Sequence, residues 1–429
     1  MKKNLIERDS QVIWHPYTQM MTTTSPVGIV MGEGAYIFDE EGKKYIDAIS
    51  SWWVTLHGHG HPYIAKKVSE QLLKLEHVIF AGFTHEPAVR LAERLLEVLP
   101  ENQARIFYSD NGSTAVEVAL KMAYQFWHNK GEAKTKIVAF KNAYHGDTFG
   151  AMSVSGRSAF TNPFLPFLFD VIHIDVPVKG KEKEALQQLK NVCSENDAAA
   201  FIFEPLVQGA AGMVMYDPEA LNDLVKVCKE YNVLAIADEV MTGFYRTGRY
   251  FACNYIQEMP DIMCLSKGLT GGTMAMGVTS CTSSIYEAFL SEDHSKTFFH
   301  GHSYTANPLA CVAALASMDL LHEADTLSKI KMIEKHHVAF IEKVAALDIL
   351  KNICHRGTIL AIELKTDDES GYFNSIKEKA YSYFMERNIL LRPLGNVIYI
   401  FPPYCISAED LKMVHKVIAD FLNILEAAK

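Results

Sequence analysis

Short apolar runs alternate along the chain with longer segments in which apolar residues recur at helical spacing. The runs KIVAF (136–140), AAAFIF (198–203) and LAIAD (234–238) are continuous and apolar, which is typical of strands buried on both faces of a sheet. The segments TAVEVALKMAYQFW (114–127) and PEALNDLVKVCKEY (218–231) show the helical periodicity. This alternation predicts an α/β fold with a mostly parallel sheet that is covered by helices on both faces.

The two ends of the chain carry a different pattern. YIFDEEGKKYIDAIS (36–50) is typical of a β-hairpin, and TILAIEL (358–364) and NVIYIFPP (396–403) are typical of strands on either side of a helix near 372–387. Ser407 is placed to cap a final helix that runs to about residue 426. The ends therefore predict a smaller α+β unit.

We accordingly expect three segments along the chain. Residues 55–305 would form a large cofactor-binding domain. Residues 1–54 and 306–429 would together form the small domain.

Composition and charge narrow the class of protein. The 429 residues are 49% hydrophobic, which is enough for a large core and more than one domain. Lys plus Arg is 41 and Asp plus Glu is 51, so the net charge of −10 opposes binding to nucleic acid. No run of about 18 apolar residues and no signal-peptide pattern are present. The eight cysteines form no Cys-x-x-Cys pair, so we expect reduced thiols and a cytoplasmic protein outside the membrane.

Three sites follow strand-like runs. Asp238 ends LAIAD, Lys267 stands in LSKG after the run at 261–265, and Gly112 and Ser113 lie in DNGSTA between a strand and a helix. In open α/β sheets ligands bind beyond the carboxyl ends of the strands. Each site alone also fits an ordinary role: an aspartate that caps a loop, a surface lysine, or a capped turn.

Together the three sites fit one kind of cofactor. An aldehyde cofactor needs a lysine amine with which to form an imine, here Lys267. Its ring nitrogen needs a carboxylate, here Asp238, to stay protonated and withdraw electrons. Its phosphate needs the free N–H groups of a helix start, here Gly112 and Ser113.

At these residues the chain resembles the class III aminotransferases, which have the type I pyridoxal-phosphate transferase fold. The matching motifs are EPLVQGAAG (204–212), ADEVMTGFYRTGR (237–249), LSKGLTGG (265–272) and NPLAC (307–311), within a resemblance over nearly the whole chain. The resemblance implies pyridoxal 5'-phosphate as cofactor, with Lys267 as its covalent anchor and general base, Asp238 on the ring nitrogen, and Gly112 and Ser113 on the phosphate. Tyr144, in AYHGD, would stack on the ring.

The resemblance also implies a homodimer with active sites at the interface. The segment HGHSY (300–304) is similar to the stretch that reaches the partner's cofactor phosphate in this family, so Gly301, His302 and Ser303 are candidates for that contact. Two positions depart from the family pattern. His302 stands in place of a proline, and Tyr245 stands in place of a glycine, where it would narrow the donor pocket beside Arg246.

Within the family, the motifs WHPYTQM (14–20), SSWWVTLHGHGHP (50–62) and LRPLGNVIYIFPPY (391–404) resemble the branch that acts in biotin biosynthesis. This resemblance implies amine transfer from S-adenosylmethionine to 8-amino-7-oxononanoate, which gives 7,8-diaminononanoate. Such a keto acid needs aromatic walls and one guanidinium for its carboxylate.

The residues that the resemblance assigns to the substrates are polar or aromatic, apart from one glycine. Tyr17 and Trp52 would line the pocket, Arg392 would hold the keto-acid carboxylate, and Arg246 would meet the polar end of a substrate. Tyr144, Lys267 and Gly301 complete the set. Core packing is the ordinary role of a tryptophan, and we expect it for either Trp52 or Trp53. Arg392 equally fits a surface ion pair.

His57, His59 and His61 alternate in HGHGH, but glycines separate them and no cysteine or carboxylate cluster adjoins, so we expect no metal. The nearest alternative functions are a class III transaminase for an ω-amino acid or a diamine, and the same reaction with lysine as donor. A nicotinamide oxidoreductase lacks its glycine fingerprint here. A binding protein that kept the fold would not need the set of Lys267, Asp238 and Tyr144.

Overall fold

The computed structural model describes residues 4–366 and 374–428. The helices are α1 Leu5–Val12, α2 Ser50–Trp53, α3 Pro62–Leu72, α4 Glu86–Val98, α5 Gly112–Lys130, α6 Phe149–Val154, α7 Glu182–Cys193, α8 Pro218–Glu230, α9 Ser283–Glu287, α10 Pro308–Leu321, α11 Ala324–Val344, α12 Ile376–Glu386 and α13 Ala408–Ala427. Four short 3₁₀ helices cover Asn162–Phe167, Ala252–Tyr255, Lys267–Thr270 and His294–Lys296.

The strands belong to four sheets. They are β1 Ile29–Glu33, β2 Tyr36–Asp39, β3 Lys44–Asp47, β4 Gln103–Ser109, β5 Lys136–Phe140, β6 Val171–Ile174, β7 Ala198–Phe203, β8 Val207–Gln208, β9 Val214–Met215, β10 Leu234–Asp238, β11 Ile262–Leu265, β12 Gly277–Thr282, β13 Leu350–Arg356, β14 Ile359–Leu364, β15 Ile389–Leu390 and β16 Val397–Ile400.

The largest sheet has seven strands in the order β4-β12-β11-β10-β7-β5-β6. β12 runs antiparallel to both of its neighbours, and the other pairs are parallel. Every residue of β7 and β10 is buried, because helices cover both faces of the sheet. The prediction of an α/β fold with a mostly parallel sheet is therefore confirmed.

The order of the strands brings distant residues to one edge of this sheet. Since β4 and the parallel strands point the same way, their carboxyl ends meet there. Asp110 follows β4, Glu204 follows β7, Asp238 ends β10, and Lys267 comes two residues after β11. Parallel strands of this kind place a ligand site at their carboxyl ends.

The terminal segments form the smaller sheets. β2 and β3 make the predicted hairpin, and β15 from the C-terminal part pairs in parallel with β3. β14 and β16 pair antiparallel, as strands at the predicted places, and Ser407 caps α13 through the N–H of Asp410 at 3.0 Å. The helix expected near 372–387 is present as α12, while residues 372 and 373 lie outside the described residues.

The domain limits at residues 54 and 305 stay a prediction. α10, which begins at Pro308, packs against α3 and α4. Among the residues that the structure describes, no helix is both long and apolar enough to cross a bilayer.

Candidate active site

A cavity of about 560 Å³ opens at the carboxyl edge of the seven-stranded sheet. The strand ends and the loops after them contribute charged and polar side chains to its wall. The terminal segments contribute mainly aromatic ones. The predicted residues that line it are Tyr17, Trp52, Gly112, Ser113, Tyr144, Asp238, Lys267 and Arg392.

Lys267 lies at the base of this cavity. Its backbone has a φ of 45°, in the left-handed region that residues other than glycine rarely adopt. Such backbone strain is often found at functional sites. Burial lowers the pKa of Lys267, and Asp238 and Glu204 oppose this shift through their charges. A lowered pKa increases the fraction of neutral amine, which is the form that attacks a carbonyl carbon.

Asp238 is the last residue of β10 and is held on both carboxylate oxygens. Its Oδ2 accepts a hydrogen bond from Nδ1 of His145 at 2.7 Å, and its Oδ1 accepts one from the N–H of Val240 at 3.1 Å. The His145 side chain is wholly buried. His145 is not among the residues predicted from the sequence, although it directly follows Tyr144 in AYHGD.

Gly112 and Ser113 form the first turn of α5. The side chain of Asn111 caps the helix by accepting a hydrogen bond from the N–H of Thr114 at 3.0 Å. The N–H groups of Gly112 and Ser113 precede Thr114 and, as at any helix start, have no intrahelical partner. A Cβ on Gly112 would lie 2.8 Å from Val240, and a Cβ on Gly146 would lie 2.2 Å from Oγ of Ser113. The turn is thus packed too closely for side chains there, and its N–H groups suit an anion.

Glu204 lies beside these groups. It accepts hydrogen bonds from the N–H of Tyr144 at 3.0 Å and from the N–H of Gly209 at 2.9 Å. Burial raises the pKa of Glu204 to about 7, the charge of Asp238 adds to this, and His145 opposes it. Glu204 therefore fixes the loop that carries Tyr144, which is a structural role, and it also lines the cavity.

A chain of hydroxyl and carboxylate groups joins the N-terminal segment to this loop. The hydroxyl of Tyr17 donates to Oδ2 of Asp147 at 2.6 Å and lies 3.2 Å from the hydroxyl of Tyr144. The ring of Phe160 meets the Tyr17 ring edge-on at 5.8 Å. Asp147 and Phe160 were missed in the sequence, because no spacing along the chain relates them to Tyr17.

The mouth of the cavity has an aromatic wall with one guanidinium. The guanidinium carbon of Arg392 lies 4.8 Å from the ring centre of Trp52, which is 42% exposed. Trp53 is only 5% exposed, bonds Tyr399 through Nε1, and lies under the Lys267 amine at 4.7 Å. Trp53 thus has the packing role expected for one of the two, although it also lines the cavity.

Arg246 lies elsewhere. It is 1% exposed and outside the cavity lining. Its guanidinium donates to the carbonyls of Pro402, Trp53 and Thr55 and packs on the Phe401 ring. The Arg246 side chain therefore supports backbone segments behind the cavity. This position does not match the contact with a substrate that we expected.

The other departures from expectation concern loops. Tyr245 packs on Tyr250 at 4.9 Å and is outside the cavity lining, so it does not narrow the pocket as expected. Gly301, His302 and Ser303 also lie outside this lining. Their expected contact is with the cofactor of a partner chain, and it stays a prediction.

The alternating histidines point to different surroundings, and only His57 and His59 form side-chain hydrogen bonds among the described residues, while the His61 ring meets the His57 ring edge-on at 6.2 Å. His57 Nε2 bonds Oγ of Ser317 at 2.9 Å, and His59 Nε2 bonds Oδ2 of Asp47 at 2.8 Å. Within residues 4–366 and 374–428 no group of three potential ligands is close enough to hold a metal ion.

The residues of the cavity fit pyridoxal phosphate. A buried amine at Lys267, a carboxylate at Asp238 and the tightly packed N-terminal turn of α5 meet in one cavity. They match the aldehyde, the ring nitrogen and the phosphate of that cofactor. The buried and unpaired Nε2 of His145 adds a polar atom to the same region.

Comparison with known proteins agrees with this geometry. A family model described as aminotransferase class-III matches residues 17–422. A relative from Synechococcus elongatus, named adenosylmethionine-8-amino-7-oxononanoate aminotransferase, is 46% identical over 96% of this chain and 98% of its own. One with the same name from Geobacter sulfurreducens is 41% identical over 95% of each chain.

A solved structure is similar throughout. The adenosylmethionine-8-amino-7-oxononanoate aminotransferase from Methanocaldococcus jannaschii superposes with a TM-score of 0.93 at 36% identity and covers 98% of both chains. Family model, sequence relatives and fold agree over nearly the full length. The chain therefore belongs to the class III aminotransferases, which are pyridoxal-phosphate-dependent enzymes.

Proposed function

We propose that this enzyme transfers an amine from S-adenosylmethionine to 8-amino-7-oxononanoate and forms 7,8-diaminononanoate for biotin biosynthesis. The observation that carries the proposal is the Arg392 guanidinium over the Trp52 ring, in the same cavity as Lys267. The names of the relatives from Synechococcus elongatus and Geobacter sulfurreducens support the same reaction.

The shape of the keto acid matches the wall of the cavity. Its carboxylate would accept paired hydrogen bonds from the planar fork of Arg392. Its apolar chain would lie against Trp52 and Tyr17, whose rings meet edge-on at 5.6 Å. The carbonyl end would then point to Lys267.

Each buried polar residue would have one task. When bound, pyridoxal phosphate supplies an aldehyde and an electron-withdrawing ring. Asp238 would hold the proton of the ring nitrogen, and Tyr144 would pack on the ring face. Gly112 and Ser113 would bind the phosphate through their N–H groups.

Lys267 would act as the proton carrier. Its Nζ would take the proton from the amine-bearing carbon of the donor. In the second half of the reaction it would return a proton to the carbon that receives the amine. The lowered pKa from burial suits both steps, because the amine must exchange its proton near neutral pH.

The aromatic residues also suit the donor. The sulfonium of S-adenosylmethionine is a cation that aromatic faces attract. Tyr17, Trp52 and Phe160 line the cavity and present such faces. A lysine donor would bring an ammonium to the same place, so the two donors are separated by experiment.

We also propose a homodimer in the cytoplasm. Large apolar side chains are exposed on the loop that follows α3 and on the segment that carries His302. A hydrogen bond of 2.5 Å from Nε2 of His77 to the carbonyl oxygen of Ser303 joins this loop to this segment. The exposed side chains are Leu73, Ile79, Phe83, Phe299 and Tyr304. A partner chain that covers this face would receive Gly301, His302 and Ser303 at its cofactor phosphate. All eight cysteines are free, which suits a reducing compartment.

A half-reaction on the purified enzyme tests the proposal. The visible absorption of the loaded enzyme would be followed after addition of S-adenosylmethionine, lysine, ornithine or γ-aminobutyrate in separate samples. We expect S-adenosylmethionine, and none of the other three amines, to remove the visible absorption band of the bound pyridoxal phosphate. Addition of 8-amino-7-oxononanoate should then restore this band. Loss with lysine alone would change the donor, and a response to ornithine or γ-aminobutyrate with no return by the keto acid would overturn the proposal.

A further inference from the structure

The Ser50–Trp53 turn, which carries Trp52 into the cavity, has a strained backbone. Ser50, Ser51 and Trp53 have φ values of 53°, 58° and 67°, and Trp52 has φ −120° and ψ 57°. Side-chain-bearing residues rarely adopt positive φ, and three of them within four positions persist only where the surroundings hold them. The groups that hold this turn therefore decide where the Trp52 ring lies.

Asp47 is the residue that holds the front of the turn. Its carboxylate is wholly buried and accepts the N–H of Ser51 at 2.7 Å and the N–H of Ile49 at 3.2 Å. The Ser51 hydroxyl adds a contact at 3.3 Å. A buried carboxylate needs such donors, because removing it from water without hydrogen-bond partners is unfavourable.

His59 completes this arrangement from outside the turn. Its Nε2 donates to the same Oδ2 of Asp47 at 2.8 Å, and its side chain is 18% exposed. Two backbone hydrogen bonds join His59 to Gly34: the N–H of His59 donates to the carbonyl of Gly34 at 2.8 Å, and the N–H of Gly34 donates to the carbonyl of His59 at 3.1 Å. A Cβ on Gly32 would lie 2.6 Å from Cβ of His59, so the glycine leaves room for the imidazole.

We propose that Asp47 and His59 are positioning residues, which fix Trp52, and through it the stacked Arg392, at the mouth of the active site. The HGHGH motif thus contributes one histidine to substrate selection rather than to a metal site. Neither Asp47 nor His59 lines the cavity, so their effect must pass through the turn. The expected consequence for a carboxylate substrate rests on the proposed function, whereas the position of Trp52 does not.

The variants are chosen to separate loss of the hydrogen bond from loss of the ring. His59→Leu removes the donor, and His59→Asn keeps a polar group that is too short to reach Asp47. His59→Gln restores an N–H at about the same reach. His61→Leu is the matched control, because His61 belongs to the same motif and its ring lies against His57, at 6.2 Å, instead of Asp47.

Fluorine NMR of the holoenzyme labelled with 5-fluorotryptophan reads the position of Trp52 directly. The chain has four tryptophans, and a Trp52→Phe sample assigns the relevant resonance. Trp127 serves as the internal reference, since it is 1% exposed and bonds the carbonyl of Ala199 at 2.9 Å. We expect His59→Leu and His59→Asn to shift or broaden the Trp52 resonance and leave that of Trp127 in place. His59→Gln and His61→Leu should match the unmodified enzyme.

Steady-state kinetics supplies the second measurement. For His59→Leu we expect the KM for the keto acid to rise about fivefold, while kcat changes less than twofold, because the turn orients substrate without touching the reacting atoms. A Trp52 resonance that is unchanged in His59→Leu and His59→Asn overturns the proposal. Equal changes at Trp52 and Trp127 also overturn it, since they indicate general loosening. Failure of the keto acid to react with the unmodified enzyme would refute the proposed function and leave the NMR result valid.

Discussion

His145 donates a hydrogen bond from Nδ1 to Oδ2 of Asp238 across 2.7 Å, although 93 positions separate the two residues. The bond fixes the carboxylate at the end of β10 and the loop that carries Tyr144 relative to one another. It also sets the direction in which the carboxylate presents its lone pairs. A carboxylate that must hold a ring nitrogen benefits from such a fixed orientation.

His145→Leu should lower kcat/KM for the donor half-reaction roughly tenfold to hundredfold, by analogy with the loss of hydrogen bonds that orient metal-binding side chains. His145→Asn should recover most of this loss, because its Nδ2 lies near the place of the imidazole Nδ1. Stopped-flow absorbance with each donor measures the effect. If Leu and Asn variants were equally slow, the imidazole ring would matter for its shape and not for the bond.

Lys267→Ala should abolish turnover, because the Lys267 amine in the cavity is proposed both to anchor the cofactor and to carry the proton. Product formation over many turnovers is the measurement. Lys141→Ala is the control, since Lys141 is half exposed and pairs with Asp175 on the protein surface at 2.8 Å. Appreciable steady-state activity of Lys267→Ala would contradict the assignment of this lysine.

Arg392→Met should raise the KM for the keto acid by about thirtyfold, because loss of a charged hydrogen bond to the carboxylate costs about 2 kcal/mol. The KM of Arg392→Lys should lie between those of the unmodified enzyme and Arg392→Met, since an ammonium keeps the charge and loses the planar fork. Arg387→Met is a suitable control, as Arg387 is a surface arginine that also stacks on an aromatic ring, that of Tyr383. An unchanged KM in Arg392→Met would separate this residue from the carboxylate.

Glu204→Gln should shift the reactivity of Lys267 to lower pH. Above pH 7 the carboxylate of Glu204, whose pKa burial raises to about 7, carries a charge that raises the pKa of Lys267. Glutamine removes that charge, so neutral amine forms at lower pH. The rate at which cofactor-free protein takes up pyridoxal phosphate, followed against pH, measures this. A curve that stays in place would show that the two groups are not coupled.

Three buried histidines should make the fold sensitive to acid. Burial lowers the pKa of His57 and of His415 to about 3, and lowers that of His337, which bonds His415 at 3.1 Å. Between the unfolded value of 6.5 and pH 3 the unfolded chain binds more protons than the folded one. The free energy of unfolding should therefore fall as pH drops below 6.5, by about 1.4 kcal/mol per pH unit for each of His57 and His415, and His337 should act in the same direction.

Chemical denaturation at several pH values measures this slope. His415→Phe should reduce it, because the Phe340 ring on which His415 stacks at 4.6 Å can also pack against phenylalanine. His128→Gln should leave the slope unchanged, since His128 is exposed. Equal slopes in all three proteins would locate the acid sensitivity elsewhere.

The sequence by itself determined the alternation of strands and helices and the site residues that follow strands directly. Lys267, Asp238 and Gly112 could be grouped from the sequence because the carboxyl ends of parallel strands share one edge. Short continuous apolar runs such as β7, which alternate with helical segments, favour buried strands. Resemblance of motifs then assigned Tyr17, Trp52 and Arg392, which the structure brings to the same cavity.

Tertiary structure alone decided the contacts between elements that are far apart in the chain. Arg246 stands in the motif GFYRTG, yet its partners are the backbone carbonyls of Pro402, Trp53 and Thr55, which are far from it in the chain. The pairing of His145 with Asp238, and of His59 with Asp47, follows no sequence period, because each pair joins a loop to a strand end. Loop geometry depends on packing against the whole fold, and local patterns of polarity carry no information about it.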